Sequence, residues 1–340
     1  MANRKITIWD VAEKAGVAPG TVSRTLNNIG YIKEETRLKV MEAIKELDYI
    51  PNRAGRTLKT TRTGLIMLAI PDTANAIFVG MIEAVNECAK KRRHSMVLYY
   101  TEGKLEGELK AVRMLQENLV DGLFLVNFSY SDELRKEIER CDSPIVLCGM
   151  CNNPWMKEEE KTFGTLSIDV YKGIYSSTQE MIRNGHKKIA YLAGEYGTIV
   201  YKQRYDAYCQ ALRDHGIEYN EDYVFWKNYT QEHGYEVGKK IYLMKDRPTA
   251  MVASNDLQAV GFWKACKDYH IQVPKDIALY GMDNLEITQM LDISSIQMQE
   301  GMVGEAGANL ILDCLENKNE DIGKVDLYFR PTLIQRKSSS

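Results

Sequence analysis

"ITIWDVAEKAGVAPGTVSRTLN", residues 6–27, is the stretch whose reading decides the fold. Thr7 stands before an apolar-periodic run and Asp10 follows three positions on. That spacing lets the acid reach back to the cap residue or sit at the positive end of a helix. Val11, Ala12 and Ala15 supply the apolar stripe. Gly16 ends the helix, because glycine accepts the left-handed conformation of a C-terminal cap. Pro19 suits the first turn of a second helix, which runs to Leu26. Two short helices around a tight Gly-containing turn form a helix-turn-helix, whose second helix can enter a DNA major groove about 12 Å wide. The surface of that helix carries Pro19, Gly20, Thr21, Ser23, Arg24 and Asn27. Hydroxyls there can bond phosphate, and Arg24 can bond phosphate or a guanine edge. A small helical bundle used for protein contacts is the competing reading.

Downstream, residues 34–47 predict a third helix, with Leu38, Met41, Ile44 and Leu47 as its apolar face. Residues 52–60 are a basic stretch with Gly55 in its middle, too short to be a stable helix alone. Arg53, Arg56 and Lys59 favour DNA as the partner that would order it. Charge agrees. Residues 1–63 hold twelve Lys and Arg against seven Asp and Glu, a net +5, while the whole chain is at -3. A basic head on an acidic body suits a polyanionic partner.

At 340 residues, two or three domains are expected. The 44% hydrophobic and 27% charged fractions are those of a globular protein and exclude collagen-like and wholly disordered classes. No apolar run is long enough for a membrane span, and residues 1–10 do not read as a signal peptide. Seven cysteines spread over the chain do not form a disulfide framework, so a cytoplasmic protein with reduced thiols is expected. From Gly64 short apolar runs alternate with amphipathic ones. Strands are predicted at 65–70, 96–100, 122–126, 145–148, 189–193, 250–253 and 277–280. Helices are predicted at 79–93, 106–118, 171–184, 203–215 and 257–269. Such alternation means an α/β body of parallel sheets, with ligands bound beyond the carboxyl ends of strands.

Little points to an enzyme. Cys148 and Cys151 have CxxC spacing but no second pair with metal spacing follows. The five histidines form no HExxH, and neither a phosphate loop nor GxSxG is present. No cofactor is expected.

The 6–27 stretch, with "EETRLKVMEAIKELDYIPNRAGRTLK" at 34–59, resembles the lactose/galactose/purine repressor family of bacterial regulators, and the likeness runs over essentially the whole chain. The resemblance implies a head at 1–50, a hinge at 51–63 and a two-lobed periplasmic-binding-protein-like body at 64–337. Lobe one would be about 64–165 and 295–325, lobe two about 166–293 and 327–337, with a mobile tail from Lys337. It implies DNA contact by Thr7, Pro19, Gly20, Thr21, Ser23, Arg24, Asn27 and Tyr31, and by Asn52, Arg53, Ala54, Leu58 and Lys59 of the hinge. Leu58 matches a leucine that wedges between central base pairs. In the body it implies an effector pocket with Phe78, Arg204, Tyr229, Asn255 and Asp283, while Asp169 and His186 are structural. Several positions depart from the family: Ala18 replaces the usual Ser cap, and Pro19 and Gly20 offer little base-reading chemistry. The implied function is repression of double-stranded operator DNA by a homodimer, with a tetramer also open, switched by a small effector. Asp, Asn, Arg and aromatics together suit a sugar or sugar derivative, since hydroxyls both donate and accept. A nucleobase, an amino acid or a protein co-repressor is the alternative, and a solute-binding protein without regulatory role is the alternative from another class.

Overall fold

The structure is a computed structural model. It describes residues 6–27, 30–49, 62–72, 76–127, 130–149, 155, 161–194, 199–317 and 321–340. The chain divides into two compact units between Thr63 and Gly64.

The first unit contains α1 (Ile8–Ala15), α2 (Pro19–Asn27) and α3 (Glu34–Glu46). The Asp10 carboxylate accepts both the Thr7 amide, at 2.7 Å, and the Thr7 hydroxyl, at 2.6 Å. Gly16 closes α1 in the left-handed region at φ 65°, and Pro19 is the first residue of α2. Val11, Ala12, Val22, Val40, Ala43 and Tyr49 form the small core. The expected face of α3 is rotated. Leu38 and Met41 are 61% and 50% exposed, whereas Val40 and Ala43 are buried with Ile44 and Leu47 against them. A strict three-residue spacing drifts off one face of a 3.6-residue helix, and the 40, 43, 44, 47 set is the true stripe.

In the second unit the chain runs β1 (Leu65–Ile70), α4 (Val79–Lys91), β2 (Ser95–Tyr100), α5 (Leu105–Gln116), β3 (Gly122–Val126), α6 (Asp132–Glu139), β4 (Ile145–Gly149) and β5 (Gly164–Ile168). It continues through α7 (Val170–Arg183), β6 (Ile189–Leu192), α8 (Ile199–Asp214), β7 (Val224–Phe225), α9 (Gln231–Leu243), β8 (Ala250–Ala253), α10 (Asp256–Asp268), β9 (Ala278–Tyr280) and α11 (Glu286–Met290). It ends with β10 (Ser295–Gln297), α12 (Glu300–Glu316), β11 (Asp326–Phe329) and β12 (Thr332–Ile334). One parallel sheet has the order β11-β5-β4-β3-β1-β2, the other β7-β6-β8-β9. Their strands are nearly continuous apolar runs because helices cover both faces. After β5 the chain enters the second lobe, and α12 returns to the first, packing on α4.

Two expectations about the carboxyl end are corrected. β11 pairs in parallel with β5, Asp326 opposite Thr165, so residues 326–329 belong to the first lobe and the last crossing comes after them, through β12 paired with β10. The tail is held. Ser338 and Ser339 are buried, and the Ser338 hydroxyl donates to the Leu279 carbonyl at 2.6 Å and accepts from the Ser294 amide at 2.8 Å. Hydroxyls that pair with strand-end backbone make a terminal segment part of the core, which composition alone does not announce.

Candidate nucleic-acid interface and effector cleft

The helix-turn-helix leaves α2 with one open side. Gly20 and Arg24 are exposed, Pro19, Thr21 and Ser23 are half-buried, and a Cβ placed on Gly20 would meet nothing within 4 Å. Arg24 lies along its own helix, its Nε donating to the Gly20 carbonyl at 3.3 Å. Tyr31 is 92% exposed. The Thr7 hydroxyl is engaged by Asp10. Asn27 ends α2. The hinge candidates Asn52, Arg53, Ala54, Leu58 and Lys59 lie outside the described residues.

In the body, α8 begins at Ile199, four residues before the predicted start at 203, so Arg204 sits in its second turn and clear of the positive helix end. It is 5% exposed. Nη1 donates to the Ser254 carbonyl at 2.7 Å, while Nε has no partner. The Arg204 guanidinium lies 5.5 Å from the Tyr229 ring centroid, and the buried Tyr229 hydroxyl is also unpartnered. Gly194 makes this seat. A Cβ there would lie 1.9 Å from Tyr229 Cζ. Asn255 is the N-cap of α10. Its Oδ1 accepts from the Gln258 amide at 2.9 Å and its Nδ2 donates to the Tyr229 carbonyl at 3.1 Å, so it positions the aromatic.

Asp256, the first residue of α10, does more than place a favourable charge at a helix start. Its carboxylate accepts from Ser295 Oγ at 2.6 Å, the Leu285 amide at 2.7 Å and Thr288 Oγ1 at 2.8 Å, which fixes the loop after β9. Burial pushes its carboxyl up to about 6 against these donors. That loop carries Asp283 at φ 116° and Asn284 at φ 54°, left-handed values that cost energy for residues with side chains and concentrate at functional sites. Asp283 is 5% exposed and its Oδ1 has no partner. Burial drives its carboxyl well above the usual range, the charge of Asp256 adds to this, and that of Arg204 opposes it.

Asp283 lines a cavity of about 250 Å³ together with Ala76, Ile77, Val79 and Gly80 from the other lobe and with Gln297 and Glu300. Phe78 is not in this wall. It is 3% exposed and belongs to the core beneath it. Glu300 went unread in the sequence, because a glutamate opening a helix reads as an ordinary favourable charge. Asp169 caps α7, its Oδ1 accepting from the Lys172 amide at 2.8 Å, and His186 Nδ1 lies 3.0 Å from Thr249 Oγ1, both structural as the resemblance implied. Cys148 is buried in β4 and Cys151 lies outside the described residues. Among the described residues no group of His, Cys, Asp and Glu could hold a metal, and no helix is long and apolar enough to cross a membrane.

Comparison with known proteins agrees with this architecture. Residues 7–52 match the family model "Bacterial regulatory proteins, lacI family", and residues 178–339 match the "Periplasmic binding protein-like domain". The HTH-type transcriptional repressor PurR of Mannheimia succiniciproducens is 29% identical over 336 residues, covering 98% of each chain. Among solved structures, the transcriptional regulator CelR in complex with cellobiose is 26% identical, covers 98% of this chain and 99% of its own, and superposes with a TM-score of 0.68. The lac repressor bound to ONPG is 24% identical, covers 99% and 100%, and superposes at 0.84, a likeness of fold. The chain thus joins a lacI-family helix-turn-helix domain to a periplasmic-binding-protein-like domain, the architecture of a DNA-binding transcriptional repressor similar to PurR and the lac repressor.

Proposed function

We propose that the protein is a cytoplasmic repressor that binds double-stranded operator DNA as a homodimer, and that a small effector in the cleft switches its operator affinity. Asp283 carries this reading. A carboxyl with a bare oxygen, buried at the end of a strand in a strained loop and facing a cavity, has the properties of a group waiting for a donor. Arg204, with an unpartnered Nε, and Tyr229, with an unpartnered hydroxyl, extend the polar set, and Asn255 positions Tyr229.

The effector we favour is a nucleobase rather than the sugar expected from the sequence. The relatives named PurR span nearly the whole chain, and their name points to a purine. The cavity, about 250 Å³, lies just below the usual range of ligand sites, roughly 300 to 1,000 Å³, and suits a small molecule such as one fused ring system. A sugar is the second reading, supported by the likeness to the CelR–cellobiose complex. A gel shift with the full chain and a panel of nucleobases and sugars is the test. A base that changes operator affinity, with sugars inert, supports the first reading. A sugar that does so with bases inert replaces it, and an absence of DNA binding at low salt would sink the repressor assignment.

A further inference from the structure

Three carboxyls are buried around the loop after β9, and their hydrogen bonds differ. Asp256 is satisfied by three donors. Asp283 leaves Oδ1 bare. Glu300, the first residue of α12, is 6% exposed. Its Oε2 accepts from Gln297 Nε2 at 3.1 Å, and its Oε1 has no partner. Asp283 and Glu300 line the same cavity, and the exposed Glu286 lines it too. Among the described residues that line it none is basic. A basic group that acts on Asp283 is Arg204, which gives Nη1 to the Ser254 carbonyl. The described residues of the opposite wall, Ala76, Ile77, Val79 and Gly80, have no side-chain polar group. A helix-opening glutamate needs no such burial, since the favourable interaction with the helix end is available at the surface.

We propose that Glu300 is a second effector-reading carboxyl, and that with Asp283 it selects an effector bearing an amine or amidine-type nitrogen over the same molecule lacking it. The inference rests on the reading of the cleft as the effector site. An amino group offers a hydrogen to each of two carboxyls and brings no strong acceptor against them. Once both carboxyls are ionised, a hydroxyl, with one hydrogen, turns lone pairs toward the second of them. In that state a phosphate or carboxylate on this side of the effector meets like charge and is rejected. The apolar wall of the other lobe makes the pairing count for more, because an N–H to carboxyl bond strengthens once water is excluded. Glu300 is thus a specificity residue, while Asp256 positions the loop without touching the ligand.

The experiment is calorimetric titration of the full chain with paired probes: guanine against hypoxanthine, which lacks the 2-amino group, and glucosamine against glucose. The aminated member of the pair that fits should bind about tenfold more tightly, the scale of one well-made bond to a buried charged group. Glu300→Gln should bring the two within about threefold by weakening the aminated member alone. Glu300→Asp keeps the charge but withdraws it by one methylene. It should fall between, and it serves if the amide variant does not fold. Equal binding of both members of every pair that binds overturns this inference alone. So does a variant that weakens both members equally, since that marks a residue that only shapes the cleft. An absence of heat with any probe overturns the reading of the cleft as well.

Discussion

Gly194 and Glu300 show how much of the cleft rests on single atoms. A methyl group at Gly194 would occupy the space of the Tyr229 ring, and the ring would be displaced from Arg204. Gly194→Ala should therefore destabilise the body by about 1–3 kcal/mol, the usual cost of overpacking. Effector affinity should fall with it, by about tenfold or more for a lost 1.4 kcal/mol. Thermal melts and calorimetry check both, and an unchanged affinity would remove Tyr229 from the site. Glu300 makes a pH prediction. Unfolded, it ionises near 4.5; burial raises it to about 7 in the fold. Between these values the folded chain holds a proton that the unfolded chain releases. The associated stability is complete below about 4.5 and is lost as pH rises through about 7. Asp256, raised to about 6, and Asp283 act in the same direction. The melting temperature of the effector-free protein should thus fall from about pH 5 to about pH 8. Glu300→Gln should flatten part of that fall, and parallel melting profiles for variant and wild type would contradict the burial of this charge.

Among elements, α2 is the one whose role separates cleanly from its stability. Its buried face is Val22 and Thr25, the latter donating to the Thr21 carbonyl at 2.9 Å, while Arg24 is exposed and donates to the Gly20 carbonyl of its own helix. Arg24→Ala should leave the melting of head and body unchanged. It should weaken operator binding by about 1–3 kcal/mol if the guanidinium reads a base, or lower the salt slope by about one if it meets a phosphate. Band shifts over a salt series distinguish the two, and a simultaneous loss of helicity would make Arg24 a folding residue. The cap at the start of α1 behaves oppositely. Asp10→Ala removes both bonds to Thr7 and should cost about 0.5–2 kcal/mol of head stability, seen in circular dichroism, without touching the α2 surface.

For the whole molecule, head and body have separate cores, and the proposed effector cleft lies in the body. A saturating base at 100 times its dissociation constant should stabilise the body by about 2.7 kcal/mol. The same increment should appear after residues 1–60 are removed, and only the gel shift should disappear. An effector effect that vanished with the head would place the ligand elsewhere.

Local signals made the head and the strands legible: a cap, a glycine, a proline, or an apolar run each acts within about one turn or one strand of itself. The strands at 65–70, 122–126 and 250–253 lie where the apolar runs put them, and Gly16 and Pro19 mark the turn between α1 and α2. Asp283 and Arg204 were named through the family resemblance, and both follow strands of the second parallel sheet. The sequence does not show which polar atoms end up paired. Asn255 and Asp256 are adjacent, yet one holds Tyr229 and the other the loop after β9. The exposed-looking Ser338 and Ser339 are buried, and an ordinary helix-opening Glu300 comes to share a cavity with Asp283 and residues 76–80. These outcomes depend on segments from 26 to more than two hundred positions apart meeting in space. Desolvation and hydrogen-bond satisfaction are properties of that meeting rather than of any residue's own neighbourhood, so tertiary structure alone decided them.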